Sequence, residues 1–208
     1  MDTTTPAQRG ARGRNRRGQG ERLREEIIEA ALRLLDELAD DQALSLRAVA
    51  REIGIAATSV YIHFADRDAL VLAAMERCHT DLIDSIDRAE AESEDPAAKL
   101  RARVLLQGKW AYEHAGLYKV LHESTLNQRT RMPFKTVLGE RTTAAIQRCM
   151  DAGLAPAGDA AAVSLDLRAA VHGAVSMRLN SADLPMPPLE EQVDRFLVKL
   201  VGLSPTTG

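Results

Sequence analysis

What this sequence has little of narrows the possibilities first. No uninterrupted apolar run approaches the roughly 18 residues that a membrane span needs, so no membrane contact is expected. Cysteine occurs twice in 208 residues, as Cys78 and Cys149, each alone within a helical pattern. That spacing excludes a disulfide framework and a metal site with paired ligands, and both thiols read as buried and reduced. The 8 prolines and 13 glycines gather at the front and at apparent joints. Long helices are therefore permitted nearly everywhere else, and an all-α fold is the first expectation. No Ser, Cys or metal-ligand grouping accompanies the histidines, and no two of them stand one helical turn apart as a zinc-binding helix needs. Neither catalysis, a metal nor a cofactor is expected. The rival reading is an all-helical enzyme built on His114, His122 or His172 with Glu113, Glu123 or Asp166.

What is present is a chain 45% hydrophobic and 27% charged, which suits a globular protein able to bury a core. Its front end is polar and Arg-rich without the apolar stretch of a secretory signal, so a cytoplasmic location is expected. The net charge of -3 conceals an asymmetry, because Arg9, Arg12, Arg14, Arg16 and Arg17 face only Asp2 in the opening segment. Residues 1–20 read as a basic arm, disordered alone and able to order on a polyanion; a solubilising leader has the same composition.

Residues 21–38 set Ile27, Ala31, Leu34 and Leu38 at helical spacing, widened by Ile28 and Leu35, which predicts an amphipathic helix. After an acidic break, Ser45 stands where an N-cap belongs, and Leu46, Val49, Ala50 and Ile53 give a second, shorter face. Gly54 permits the left-handed turn that ends this helix and starts a brief third one over 56–62. Asp66 caps a long fourth helix running toward Ile86 and ending before Pro96. Further helices are predicted over 97–114, 117–127, 134–152, 159–181 and 189–201. The rigid link Pro185-Met186-Pro187-Pro188 favours antiparallel packing of the last two.

Residues 44–64, LSLRAVAREIGIAATSVYIHF, have the order and length of a helix-turn-helix, with Leu46, Ala50, Ile53, Ile55 and Val60 locking two helices at a steep angle. Spacing alone fits a tight helical hairpin in an enzyme or scaffold equally well. With the preceding helix and the following Asp66-Arg67-Asp68-Ala69-Leu70, the segment over 21–77 resembles the TetR family of regulators. Ala50, Gly54, Val60, Tyr61, His63 and Phe64 stand at that family's recurrent positions. The C-terminal half is similar only loosely, through helix number, length and the segment Val171-His172-Gly173.

The resemblance implies an all-α protein in four parts: a basic arm over 1–20, a three-helix DNA-binding domain over 21–66, a helical effector-binding and dimerisation domain over 67–203, and a tail over 204–208. It implies a repressor: a homodimer on double-stranded DNA with an inverted-repeat operator, released by an unknown small-molecule effector that shifts the helix beginning at Asp66. Carried over residue by residue, Ser45 caps the motif, Arg47, Ala57, Ser59 and Ile62 face bases, and Thr58 lies near phosphates. Tyr61, His63 and Arg67 lie near phosphates, and Arg14, Arg16 and Arg17 of the arm supplement them. Tyr61 and Phe64 are equally readable as core. The second helix offers no Lys, Arg, Asn or Gln, so direct base readout is thin and rests on Arg47 and on apolar contacts with thymine methyls. Residues 21–80 are not basic overall, which gives the arm its importance.

For the effector, Trp110, His114, Tyr118, Met132, Phe134, His172, Met177 and Asn180 offer apolar walls with a few polar groups. For the dimer, Gly173 allows close approach and Val193, Phe196, Leu197 and Leu200 form a stripe, although both features could equally fill the monomer's own core. A constitutive architectural DNA-binding protein without an effector remains the second alternative.

Overall fold

The computed structural model describes residues 19–181 and 183–205. Within them the chain is built of helices: α1 (Gln19–Leu38), α2 (Leu46–Glu52), α3 (Ala57–His63), α4 (Arg67–Glu90), α5 (Pro96–Glu113), α6 (Ala115–Glu123), α7 (Leu126–Arg129), α8 (Phe134–Asp151), α9 (Ala160–Asn180) and α10 (Leu189–Phe196). A single 3-10 turn, Asp41–Ala43, follows α1, and a π-helical turn, Leu197–Val201, extends α10.

Local chemistry sets most of the starts. Each of four helices opens on a short polar side chain accepting from a backbone N–H: Ser45 from Ala48, Asp66 from Ala69, Asp95 from Ala98, and Asp159 from Ala161 and Ala162. Pro96 adds a pre-set φ at the first position of α5.

Two predicted helices differ from expectation. The helix expected over 117–127 breaks into α6 and α7, because the Ser124 hydroxyl accepts from the Leu126 N–H and gives the backbone an alternative to the helical bond. The helix expected over 189–201 finishes as a π turn, and Gly202, at φ 81°, reverses it so that Leu197, Val201 and Leu203 are all buried. Leu38, expected on the buried stripe of α1, is 42% exposed, because the core beneath α1 centres on Ile27, Ile28, Ala31 and Leu35 and ends before it.

Two apolar clusters result. The first joins α1, α2, α3 and the first half of α4 to α6 and α7, around Ile27, Leu35, Val49, Val60, Leu70 and Leu126. The second joins α5, α8, α9 and α10 around Leu100, Ile146, Leu167 and Val193. Burying each such side chain contributes roughly 1.5–3 kcal/mol. Both cysteines are buried free thiols; burial, then the charges of Asp81 and Asp36, pushes Cys78 up to about 12. No described helix is long and apolar enough to cross a membrane.

Candidate nucleic-acid interface and the cavity behind it

The turn between α2 and α3 is a Schellman motif. The Gly54 N–H donates to the Arg51 carbonyl at 3.2 Å and the Ile55 N–H to the Ala50 carbonyl at 2.9 Å. Gly54 holds φ 70°, a conformation that a side chain would strain. Below the turn, Leu46, Ala50 and Val60 are buried, while Ile53 and Ile55 pack half-buried against them. This fixes α3 with its opposite side in solvent. On that side Ile62 is 80% exposed and Tyr61 53% exposed, Thr58 is exposed, and Ala57, Ser59 and His63 are half-buried.

The two aromatic side chains left open by the sequence therefore separate. Tyr61 projects outward, and Phe64 is buried with the Arg24 guanidinium 5.2 Å over its ring. Arg47 is exposed on the neighbouring helix, and no hydrogen bond or ion pair holds it among the described residues. Ser45 is occupied as the cap of α2. Arg67 spends its donors inside the protein, on Asp68 at 2.7 and 3.1 Å and on the Gln42 side chain at 3.0 Å. That hydrogen bonding holds Asp68 below the usual carboxylate range. The chain enters α1 beside the reading helix, since a Cβ on Gly20 would lie 4.0 Å from the His63 ring. Arg14, Arg16 and Arg17 lie outside the described residues.

Behind this head, a cavity of about 290 Å³ opens between α4, α5, α6, α8 and α9. Of the residues expected around an effector, Trp110, Tyr118 and His172 line it. The others lie elsewhere. His114 Nδ1 sits 3.1 Å from Asp36, Met132 and Phe134 pack on the first cluster, and Met177 and Asn180 are exposed on α9. Sequence reasoning missed Gln107, His122 and Arg168, which also line the cavity. Helical register carried the signal: they stand three before Trp110, four after Tyr118 and four before His172, on the same faces.

Tyr118 hydrogen-bonds His172 Nδ1, and the His122 ring lies between them, its centroid 4.4 Å from Tyr118 and 4.7 Å from His172. Burial raises the Tyr118 pKa, so the phenol stays protonated. Desolvation in the cavity wall, then the charges of His172, Lys135 and Arg168, lowers His122 to about 4. No group of three or more metal-ligating side chains converges among the described residues.

Helix α6 belongs to both regions. Tyr118 and His122 face the cavity, while Leu117 and Val120 are buried in the first cluster. Its N-terminus is clamped to α1: Asp36 Oδ1 accepts from the Gly116 and Leu117 N–H groups at 3.0 and 3.1 Å. The approach requires glycine, because a Cβ on residue 116 would fall 1.9 Å from the Asp36 carbonyl oxygen.

The residues expected at a dimer interface divide. Val193 and Leu197 are buried within the chain itself, at 1% and 3% exposure, and Phe196 packs half-buried on the second cluster, because α10 folds down onto α5. Gly173 has open space beside it, and Leu200 is 36% exposed. The large apolar side chains that α9 leaves in solvent are Leu165, Met177 and Leu179.

Among the described residues a capped helix-turn-helix rests on a helical body that holds a cavity, the architecture of a helix-turn-helix regulator. Residues 27–74 match the family described as bacterial regulatory proteins, tetR family, and residues 107–201 match the tetracyclin repressor-like C-terminal domain. The chain belongs to the TetR family. It is 31% identical over 148 residues to HTH-type transcriptional regulators of Mycobacterium tuberculosis and Mycobacterium bovis, an alignment covering 67% of this chain and 61% of theirs. The chain thus spans about three-fifths of the length of the curated relatives it matches. A protein with unknown function from Rhodococcus sp. RHA1 superposes with a TM-score of 0.72 at 25% identity, over 86% of this chain and 95% of the other. The transcriptional regulator FadR of Bacillus subtilis, solved in complex with stearoyl-CoA, has the same fold, with a TM-score of 0.71 at 16% identity over 85% and 97% of the two chains.

Proposed function

We propose that this protein is a cytoplasmic, homodimeric transcriptional repressor that grips an inverted-repeat operator through α3 and releases it when a small molecule enters the cavity. The observation that carries the reading is the solvent side of α3. An isoleucine 80% exposed beside an exposed tyrosine is unfavourable in water, and the neighbouring α2 carries the exposed Arg47, whose donors are free among the described residues. Ile62, Ala57 and Thr58 suit thymine methyls, Arg47 suits a guanine edge, and Ser59, Tyr61 and His63 suit phosphate oxygens. Arg67 contributes by bracing the start of α4, since its own donors are engaged. An arm carrying Arg14, Arg16 and Arg17 would leave from beside His63 and add phosphate or minor-groove contacts.

One copy reads too few bases, and paired helix-turn-helix units contact half-sites about 34–36 Å apart. The second copy is assigned to the exposed side of α9, through Gly173 and Leu165, the latter also lining the mouth of the cavity, and to the exposed Leu200. The response follows from α6. An effector touching Tyr118 and His122 bears on the helix that Asp36 ties to α1, and it moves the head as well as the α4 connection. Release needs differential affinity of the effector for the two arrangements, typically about 1–3 kcal/mol of coupling. That stearoyl-CoA binds the Bacillus subtilis FadR supports a ligand within this fold.

The test is binding of Arg47→Ala and Tyr61→Ala proteins to a duplex selected by the parent. Each is expected to stay folded and to lose at least about tenfold in affinity. Parent-like affinity in both would reject α3 as the reader.

A further inference from the structure

Resting on the sensor reading above, we infer that the effector is a compact carboxylic acid with an apolar body, its carboxylate paired with Arg168. The lining of the cavity carries no aspartate or glutamate. On the neighbouring helices arginines find acids: Arg101 pairs with Asp194 at 2.6 Å, Arg103 with Glu90 at 2.6 Å, and Arg141 with Asp87. Arg168 has no such partner among the described residues, although it lines the cavity. Its guanidinium rests against α8 at Gly139, where a Cβ would lie 2.6 Å from Arg168 Nη1.

One other polar group of the lining is a donor without a partner. Gln107 Nε2 is buried without a hydrogen-bond partner. His172 Nδ1 is engaged by the Tyr118 hydroxyl, which leaves its Nε2 without a partner among the described residues. The Thr142 hydroxyl proton is spent on the Leu138 carbonyl. The local field has the same sign, since Lys135 and Arg168, after burial, both help to hold His79 near 4 and His122 near 4. A cationic ligand would add repulsion, and a neutral one would leave the arginine, which is itself exposed, to water alone. An anion satisfies both, through charge-assisted hydrogen bonds that are shorter and stronger than neutral ones. The remaining walls, among them Leu82, Val104 and Val175, are apolar. A volume of about 290 Å³ lies at the small end of ligand sites, so the body is compact.

The experiment titrates the full chain, with and without its selected duplex, with octanoate and phenylacetate and with their neutral amides, octanamide and phenylacetamide, by calorimetry. At least one acid is expected to bind about tenfold or more tightly than its amide, with Arg168→Gln abolishing the difference and Arg168→Lys restoring part of it. Circular dichroism verifies that both variants fold. Equal affinity for acid and amide, undiminished acid binding by Arg168→Gln, or no acid binding at all overturns the inference. The sensor reading fails separately: an Arg168-dependent acid that leaves duplex affinity unmoved keeps the ligand class and rejects the release, whereas amides that bind and release the duplex do the reverse.

Discussion

The head and the body of this protein are packed to different standards. Around α1, α2 and α3 the core is closed, and each described polar side-chain atom buried there is satisfied. In the body, five buried polar atoms lack partners, on Arg103, Gln107, Tyr112, Arg178 and Gln192, and a cavity lies between the helices. Unsatisfied buried groups and voids each lower stability, so their concentration in one region marks where the fold gives up rigidity. A reader must hold one helix at one angle, whereas a sensor must have two arrangements close in energy.

That contrast can be broken by mutation. The largest effect is expected from Glu90→Ala. Glu90 holds Arg103, which is 2% exposed, through contacts of 2.6 and 3.0 Å. Removing it leaves a buried cation with only the Asp87 carboxylate, 3.8 Å away, for a loss approaching about 3–5 kcal/mol in urea unfolding. The paired Arg103→Met, Glu90→Leu exchange should recover most of that loss. A cost below about 1 kcal/mol for Glu90→Ala would mean that water already reaches the body's interior, which sharpens the contrast.

Next comes pH. His79, 4% exposed at the seam between the clusters, is lowered from 6.5 to about 4 by burial and then by the charges of Lys135 and Arg168. The unfolded chain takes up this proton first. The contribution is therefore fully present above pH 6.5 and is lost as pH falls toward about 4, on the order of 2–4 kcal/mol. Chemical denaturation at stepped pH should show that decline, and His79→Gln should remove about half of it, His122 carrying the rest.

Smaller effects are expected where the regions join and within the head. Gly116→Ala forces a Cβ against the Asp36 carbonyl and should cost about 1–3 kcal/mol while weakening effector-driven release more than effector binding. Ser45→Ala removes a cap from α2 and should cost about 1 kcal/mol in thermal unfolding. A much larger loss would show that the head is less self-sufficient than its core suggests.

The same contrast governs what could be read from the residues. The head is specified locally: Ser45, Gly54 and Asp66 mark its boundaries by cap and turn chemistry, and Val60 and Ile62 take opposite sides of α3 by period alone. In the body, the direction a helix faces depends on distant partners. Trp110, Tyr118 and His172 reach the cavity, but Met132 and Phe134 do not, because the chain after α7 folds back onto the first cluster. Val193 and Leu197 form the stripe that periodicity predicts, yet α5 covers it, and hydrophobic spacing cannot distinguish a core from an interface. The split at Ser124 and the π turn after Phe196 turn on single hydrogen bonds with no periodic signature.

The account rests on α3 lying in the major groove twice per dimer, and selection of bound duplexes from a random pool measures this most directly. An enriched inverted repeat, with half-sites about one helical turn or a whole multiple apart, is the predicted result. Recovery of a single half-site, or of no common sequence, would contradict it.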